Sequence, residues 1–138
     1  MSRFVGQWYG EGNVQEDQDA ALETVACRII FSSPEAGHIV TRGLCATANE
    51  TREVSGHLTC RGGQLSGPLL ASDQEPEPRL ISATATETET ILELEGIHPS
   101  RGDALRYRLR VTFNGSNEMT MRITRGALTA LNIRYGRE

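Results

Sequence analysis

The residues of this 138-residue chain most suited to nucleophilic or metal chemistry are three cysteines and three histidines. They are Cys27, Cys45, Cys60, His38, His57 and His98. None of the cysteines forms a C-x-x-C pair, and the six positions show no spacing typical of a zinc or redox site. His57 and Cys60 lie close in sequence, but their separation places them on opposite faces of a strand. The sequence therefore predicts no metal site, no catalytic residue and no cofactor.

The charged residues offer no clearer catalytic arrangement. Glu87, Glu89, Glu93 and Glu95 alternate along one segment, which is the pattern of a solvated strand face. All 14 basic residues are arginine, so no lysine is present to act as a Schiff base or a catalytic base. We therefore interpret the chain as a non-enzymatic protein.

Four arginines raise the question of phosphate binding, because Arg106, Arg108 and Arg110 alternate along one segment and Arg122 is expected beside Arg110 on the next. The net charge of the chain is −4 and its pI is about 5.4, whereas a general nucleic-acid binder needs a basic face. Glutamates on a neighbouring segment provide partners for these arginines. The pattern favours a surface network of ion pairs and indicates no nucleic-acid binding.

Apolar and polar residues alternate along most of the chain, most clearly in ALRYRLRVTF at 104–113. This period of two predicts strands with one face in water and one face in a core. Keeping the apolar faces together pairs Val111 with Met121, and Met121 with Ile133. Glycine-containing turns separate these segments. We therefore expect the last three strands to form an antiparallel meander.

The number and spacing of such segments define the predicted fold. About eight to ten short strands at hairpin spacing, with no break in composition, predict a single all-β domain over residues 1–138, an antiparallel up-and-down barrel. One set of residues is predicted to line the interior: Leu92, Leu94, Leu105, Tyr107, Leu109, Val111, Phe113, Met119, Met121, Ile133 and Tyr135.

The acidic segment is expected to pair with the strand that carries Arg106 and Arg110. Pairing Leu94 with Leu105 sets Glu93 opposite Arg106, and by the same register it sets Glu89 opposite Arg110. An acidic row would then face the arginine row on the outside of the barrel.

Two of the cysteines come together if the SPEAGH segment is a hairpin turn. Pairing Ile29 with Gly43 places Cys27 opposite Cys45, within reach of a disulfide. Two states are open at this point: a disulfide in an oxidising compartment, or two packed, reduced thiols. Cys60 is expected to be free in either case.

The segment GQWYGEG surrounds the only tryptophan with glycines at Gly6, Gly10 and Gly12. Glycine lets a strand bend sharply and lets another backbone approach it. Trp8 is therefore expected to close one end of the barrel, with Gly10 and Gly12 leaving room for its ring.

These residues resemble the openings of calycin-type barrels. Gly6-Gln7-Trp8 is similar to the G-x-W of lipocalins, and GQWYGEG is similar to the G-x-W-x-G-x-G of nitrobindin-like barrels. The segment LTCRGGQLSG at 58–67 is similar to a hairpin of small bacterial barrels of unknown function. The resemblance implies that an arginine of the last strand packs on Trp8, with Arg134 the first choice and Arg137 the second.

Nitrobindin-like barrels bind haem through a histidine, so the resemblance also raises that cofactor. His38 and His98 fall in predicted turns or loops, and His57 faces away from the apolar side of its strand. No histidine is expected inside the barrel, and haem binding is therefore not predicted.

The fold and the resemblance together predict a function in binding. We expect a small apolar or amphipathic ligand in the barrel interior, against an adaptable lining that contains methionine and aromatic side chains. The predicted ligand contacts are Tyr107, Leu109, Val111, Phe113, Met119, Met121 and Tyr135.

The alternative is a protein-interaction module, such as an inhibitor of an extracytoplasmic hydrolase, that uses the SDQEPEP and EGIHPSRGD loops. No segment is long and apolar enough to span a membrane. The protein would be periplasmic or secreted if a leader has been removed, and cytoplasmic otherwise. The oligomeric state is left open.

Overall fold

A computed structural model describes residues 2–62, 64–72, 78–97 and 102–138, which form an all-β fold with one short 3₁₀ turn at Ser2–Phe4. This confirms the predicted fold class. The strands are β1 (Gly6–Val14), β2 (Glu23–Ser32), β3 (His38–Ala46), β4 (Thr51–Arg61), β5 (Gln64–Ser66), β6 (Ala71–Ser72), β7 (Arg79–Ala85), β8 (Glu89–Ile97), β9 (Ala104–Asn114), β10 (Glu118–Arg125) and β11 (Leu128–Arg137).

The strands form one antiparallel sheet that curls into a nearly closed barrel. Their order around the barrel is β5-β4-β3-β2-β1-β11-β10-β9-β8-β7, and the two-residue strand β6 pairs with β4. Most neighbours in the sheet are therefore also neighbours in the chain, and the β1–β11 pair joins its two halves. The edges of the sheet are β5 and β7, which meet at a seam.

The C-terminal meander has the predicted register. Val111 lies opposite Met121, and Met121 lies opposite Ile133. All three are buried, because alternate residues of each strand face the barrel interior. Positive φ angles at Gly115 and Gly126 allow the two tight turns between these strands.

The predicted register of β8 on β9 is wrong by two residues. Leu94 lies opposite Tyr107, and Gly96 lies opposite Leu105. A shift of two residues keeps every side chain on its own face, so the alternating pattern alone does not distinguish the two registers.

The outer face of β8 and β9 carries ion pairs between the acidic row and the arginine row, as expected. Glu89 pairs with Arg110 as predicted, whereas Glu93 pairs with Arg108 in place of Arg106. The arginines are exposed and the glutamates are half-buried at the surface, so each pair contributes little to stability. The N···O distances are 2.6 Å for Arg108–Glu93, 3.5 Å for Arg106–Glu95 and 3.6 Å for Arg110–Glu89.

One end of the barrel, here called the closed end, is filled by aromatic side chains. Trp8 is fully buried, and its indole Nε1 donates a hydrogen bond to the carbonyl of Phe4 at 2.8 Å. The Phe4 ring lies 5.2 Å from Phe31 and 4.9 Å from Phe113, in edge-on geometries. The 3₁₀ turn thus places a plug across this end, which agrees with the predicted role of Trp8.

Gly10 and Gly12, which follow Trp8, lie on the same inward face of β1 as Trp8 and pack against β11. A Cβ atom at Gly10 would lie 2.6 Å from Cδ1 of Tyr135 and 2.7 Å from the carbonyl oxygen of Arg134. A Cβ at Gly12 would overlap the carbonyl of Asn132. Because neither glycine has a side chain, β1 and β11 can approach closely, and Tyr135 of β11 can point into the barrel.

Arg137, and not Arg134, is the arginine that packs on Trp8. Arg137 lies opposite Trp8 in the β1–β11 register, and its Cζ is 4.2 Å from the centroid of the tryptophan ring. Arg134 is exposed on the outside of β11. The reason is alternation: Ile133 and Tyr135 face inward, so Arg134 must face outward.

Gly6 has a role in the same contact. Its φ of 139° is one that residues with side chains rarely adopt, and a Cβ there would overlap the Arg137 guanidinium. The first glycine of the opening motif therefore makes room for the arginine that covers the tryptophan.

Candidate ligand cavity

A cavity of about 300 Å³ lies at the end of the barrel away from Trp8, here called the open end. It is bounded by the last residues of β1, β3, β8 and β10 and the first residues of β2, β4, β9 and β11, since antiparallel strands alternate in direction. Its volume is at the lower limit for pockets that hold small organic molecules.

The wall of the cavity is mainly apolar. Inward-facing aliphatic side chains of six strands contribute to it, together with one residue of the connection that precedes β6. They include Val14, Val25, Val54, Leu70, Leu105, Leu109, Ile123 and Leu131. These side chains would be covered by a bound ligand, and burying apolar surface is the main source of affinity in such sites.

The structure divides the predicted ligand contacts between the two halves of the barrel. Tyr107 and Leu109 line the cavity. Val111, Phe113, Met119, Met121 and Tyr135 are buried in the filled core on the closed side. Alternation along a strand identifies which residues face inward, but it does not identify the level at which the interior is filled.

The cavity residues of the N-terminal half were not among the predicted ligand contacts. Val14, Val25 and Val54 each face inward near an end of a strand. Their alternation with polar neighbours was visible in the sequence. What was missing was knowledge of which end of the barrel is filled by side chains and which end is hollow.

Two arginines also face into the open end. Arg125 follows the inward series Met119, Met121 and Ile123 on β10, and Arg52 precedes the inward Val54 on β4. Both contribute to the cavity wall, and both are half-buried. The apolar cavity therefore has polar, positively charged groups at its mouth.

Acidic residues contribute to the same mouth. Glu50 forms an ion pair with Arg52 at 2.8 Å. Glu23 accepts a hydrogen bond from the Asn49 side chain at 2.7 Å. Glu16 also lies at the cavity wall. The mouth is therefore mixed in charge and is not a strongly positive funnel.

The structure joins Cys27 and Cys45 in a disulfide between β2 and β3, at the position the hairpin register placed them. Cys45 contributes to the cavity wall. The disulfide therefore fixes two strands at the open end. Cys60 is free and half-buried.

Two of the three histidines meet on the outside of the barrel. Nδ1 of His38 lies 2.9 Å from Nε2 of His57, between β3 and β4. His98 lies outside the described residues, as do 73–77 and 98–101 of the two loops predicted to bind a protein partner. Within the described ranges, no group of three or more His, Cys, Asp or Glu side chains could hold a metal ion.

A second depression, of about 480 Å³, follows the seam between β5 and β7. It is more open to solvent than the interior cavity, and its surface is more polar. A small apolar ligand would be less well enclosed there, so the interior cavity is the better candidate site. In the part of the chain that the structure covers, no helix has the length and apolar character needed to cross a membrane.

Comparisons with known proteins support the fold. No protein-family model matches the chain, and no curated protein sequence does. The crystal structure of Rv2717c from M. tuberculosis has a TM-score of 0.68 at 16% identity, with 99% of this chain and 94% of that chain covered. At this identity the similarity shows a shared barrel fold only.

Two redesigned β-barrels are also similar in structure. The barrel mFAP1, solved bound to DFHBI, has a TM-score of 0.52 at 12% identity, with 99% of this chain and 96% of that chain covered. The barrel b11L5F_LGL has a TM-score of 0.52 at 12% identity, with coverages of 99% and 93%. These matches again concern the shape of the barrel.

Proposed function

We propose that this protein is a non-enzymatic, calycin-type barrel that binds one small apolar or amphipathic molecule in its open end. The observation that carries the proposal is the cavity of about 300 Å³ with a mainly apolar wall. Because side chains fill the closed end of the barrel, a ligand would enter the cavity from the open end only.

Two further observations support the proposal. The disulfide between Cys27 and Cys45 ties together two strands of the cavity wall, which favours a preformed site. A barrel of similar fold, mFAP1, was solved with the small molecule DFHBI bound. A preformed apolar pocket needs little reorganisation on binding, and that lowers the free-energy cost of association.

The test is a fluorescence titration with N-phenyl-1-naphthylamine, a neutral probe whose emission rises in apolar surroundings. We expect saturable binding of one probe molecule per chain. Leu105→Trp should weaken that binding. Leu105 is a half-buried residue of the cavity wall, and the larger indole ring would take up space in the cavity.

The matched control is Leu44→Trp. Leu44 is 51% exposed on the outer face of β3, so the same substitution there leaves the cavity unchanged. Binding that is absent in the wild type, or that both variants reduce equally, would contradict the proposed site.

A further inference from the structure

Arg125 is an unusual residue to find on the inward face of an apolar strand. It lies two residues beyond Ile123 and four beyond the fully buried Met121. Its guanidinium Nη2 donates a hydrogen bond to the main-chain carbonyl of Glu16. Its Nε has no solvent-accessible surface and no hydrogen-bond partner among the described residues, while the side chain as a whole contributes to the cavity wall.

A buried guanidinium donor without a partner is costly, because it has lost its hydrogen bonds to water and has not replaced them. The other inward arginine does not have this deficit, since Arg52 is paired with Glu50 at 2.8 Å. Among the described residues at the mouth, Arg125 is therefore the arginine with an unpaired donor, and a bound anion that draws its guanidinium toward the cavity would give Nε a partner.

We propose that Arg125 binds the carboxylate of an amphipathic organic anion whose apolar part occupies the cavity. This inference rests on the proposed function and adds the chemical class of the ligand. Guanidinium donors match the two oxygens of a carboxylate in geometry and in charge, and such hydrogen bonds are among the strongest in proteins. The apolar walls formed by Leu105, Leu109 and Ile123 would cover the hydrocarbon part.

The mouth of the cavity favours this ligand through direct contact with Arg125 and not through the overall electrostatic field of the opening. Glu16, Glu23 and Glu50 lie around the same opening, so the surrounding charge does not favour anions. A carboxylate gains only where it reaches Arg125. This arrangement favours an anion that also carries an apolar group over a simple inorganic anion.

The experiment compares octanoate with 1-octanol, which share a chain of eight carbons and differ in the head group. Each is titrated into the full-length, disulfide-bonded protein and followed by ¹H–¹⁵N spectra, including the Nε–H signal of Arg125. We expect octanoate to bind about tenfold more tightly than 1-octanol, the order of magnitude of one added charge-assisted hydrogen bond. The Arg125 Nε–H signal should shift with octanoate only.

Arg125→Gln should reduce octanoate binding to the level of 1-octanol and leave 1-octanol binding unchanged. Arg125→Lys, which keeps the charge, should retain part of the preference. Arg122→Gln is the matched control, because Arg122 lies on the same strand but is exposed on the outer face.

The outcomes separate the two proposals. Equal binding of octanoate and 1-octanol would overturn the role of Arg125 and leave the apolar cavity as a binding site. The same conclusion would follow if Arg125→Gln, folded by its amide spectrum, kept the preference for octanoate. Binding of neither molecule would overturn both proposals.

Discussion

The guanidinium of Arg137 covers the ring of Trp8, with Cζ 4.2 Å from the ring centroid. The same group donates hydrogen bonds to the carbonyl of Ser116 at 2.8 Å and to that of Arg3 at 3.0 Å. One side chain therefore joins the N-terminal turn, the β9–β10 turn and the end of β11 above the tryptophan.

Removing this group should weaken the closed end. We expect Arg137→Ala to lower the free energy of unfolding by about 1–3 kcal/mol, through the loss of a cation–π contact and of hydrogen bonds to carbonyls. Arg134→Ala, an exposed change on the same strand, should stay within about 0.5 kcal/mol of wild type. Urea unfolding monitored by Trp8 fluorescence measures both. Equal effects of the two substitutions would show that the contact with Trp8 adds nothing.

The close approach of β1 and β11 predicts that Gly10 does not tolerate a side chain. Gly10→Val should destabilise the protein by more than about 1 kcal/mol, because the new atoms would overlap Tyr135 and the β11 backbone. Gly136→Val is the control, since a Cβ at Gly136 has no neighbouring atom within 4 Å. Thermal unfolding of the two variants provides the comparison. A neutral Gly10→Val would mean that the glycine is incidental to the packing.

The hydroxyl of Tyr135 is buried without a hydrogen-bond partner in the described part of the chain. Tyr135→Phe removes only that group, so we expect stability to be unchanged or raised by up to about 1 kcal/mol at neutral pH. A loss of more than that amount in chemical unfolding would show that the hydroxyl is satisfied in solution.

Burial also raises the pKa of the Tyr135 phenol above its ordinary value. Since the unfolded phenol ionises first, wild type should lose stability relative to Tyr135→Phe as the pH rises past the ordinary tyrosine pKa of about 10. Unfolding curves recorded for both proteins across that range test the sign. A difference in unfolding free energy between the two proteins that stays constant with pH would contradict the raised pKa of Tyr135.

The disulfide between Cys27 and Cys45 closes a loop with a sequence separation of 18. Reduction, or the double change Cys27→Ala and Cys45→Ala, should lower the free energy of unfolding by about 3 kcal/mol. Cys60→Ala should have a smaller effect. Alkylation of the unreduced, denatured protein should add one label per chain by mass spectrometry, at the free Cys60. Three labels would show that the purified protein is reduced.

The ion pairs of Glu95 on β8 predict a lowered pKa for its carboxylate. Arg79 donates a hydrogen bond to Glu95 at 3.0 Å and, with a smaller effect of Arg106, lowers the pKa of Glu95 below its ordinary value. The stabilisation from this group is present at neutral pH and is lost as the pH falls through the folded-state pKa. A carbon-detected NMR titration should show the low pKa, and Arg79→Gln should raise it. A Glu95 that titrates at the ordinary value in wild type would contradict the contact.

Much of the fold was predictable because alternation is a local property. The inward position of Val111, Met121 and Ile133 follows from their own neighbours, and hairpin turns fix which of these residues meet. The same reasoning placed Cys27 opposite Cys45. It was not sufficient for Leu94, where a shift of two residues preserves both faces.

The alternation along β11 also indicates which arginine packs on Trp8, although Arg134 was the predicted first choice. With Ile133 and Tyr135 facing inward, Arg137 has the inward parity and Arg134 does not. The motif resemblance indicated an arginine of the last strand, and the face of the strand determines which one.

The sequence by itself determined the all-β class, the inward face of most strands and the burial of Trp8 beside closely packed glycines, because these depend on neighbours a few residues apart. Only the tertiary structure decided that aromatic side chains fill one end while the other end remains hollow, and that Arg125 and Arg52 both reach the hollow end. Which end of an antiparallel barrel is filled depends on how side chains from all of its strands pack together, and no local pattern contains that information.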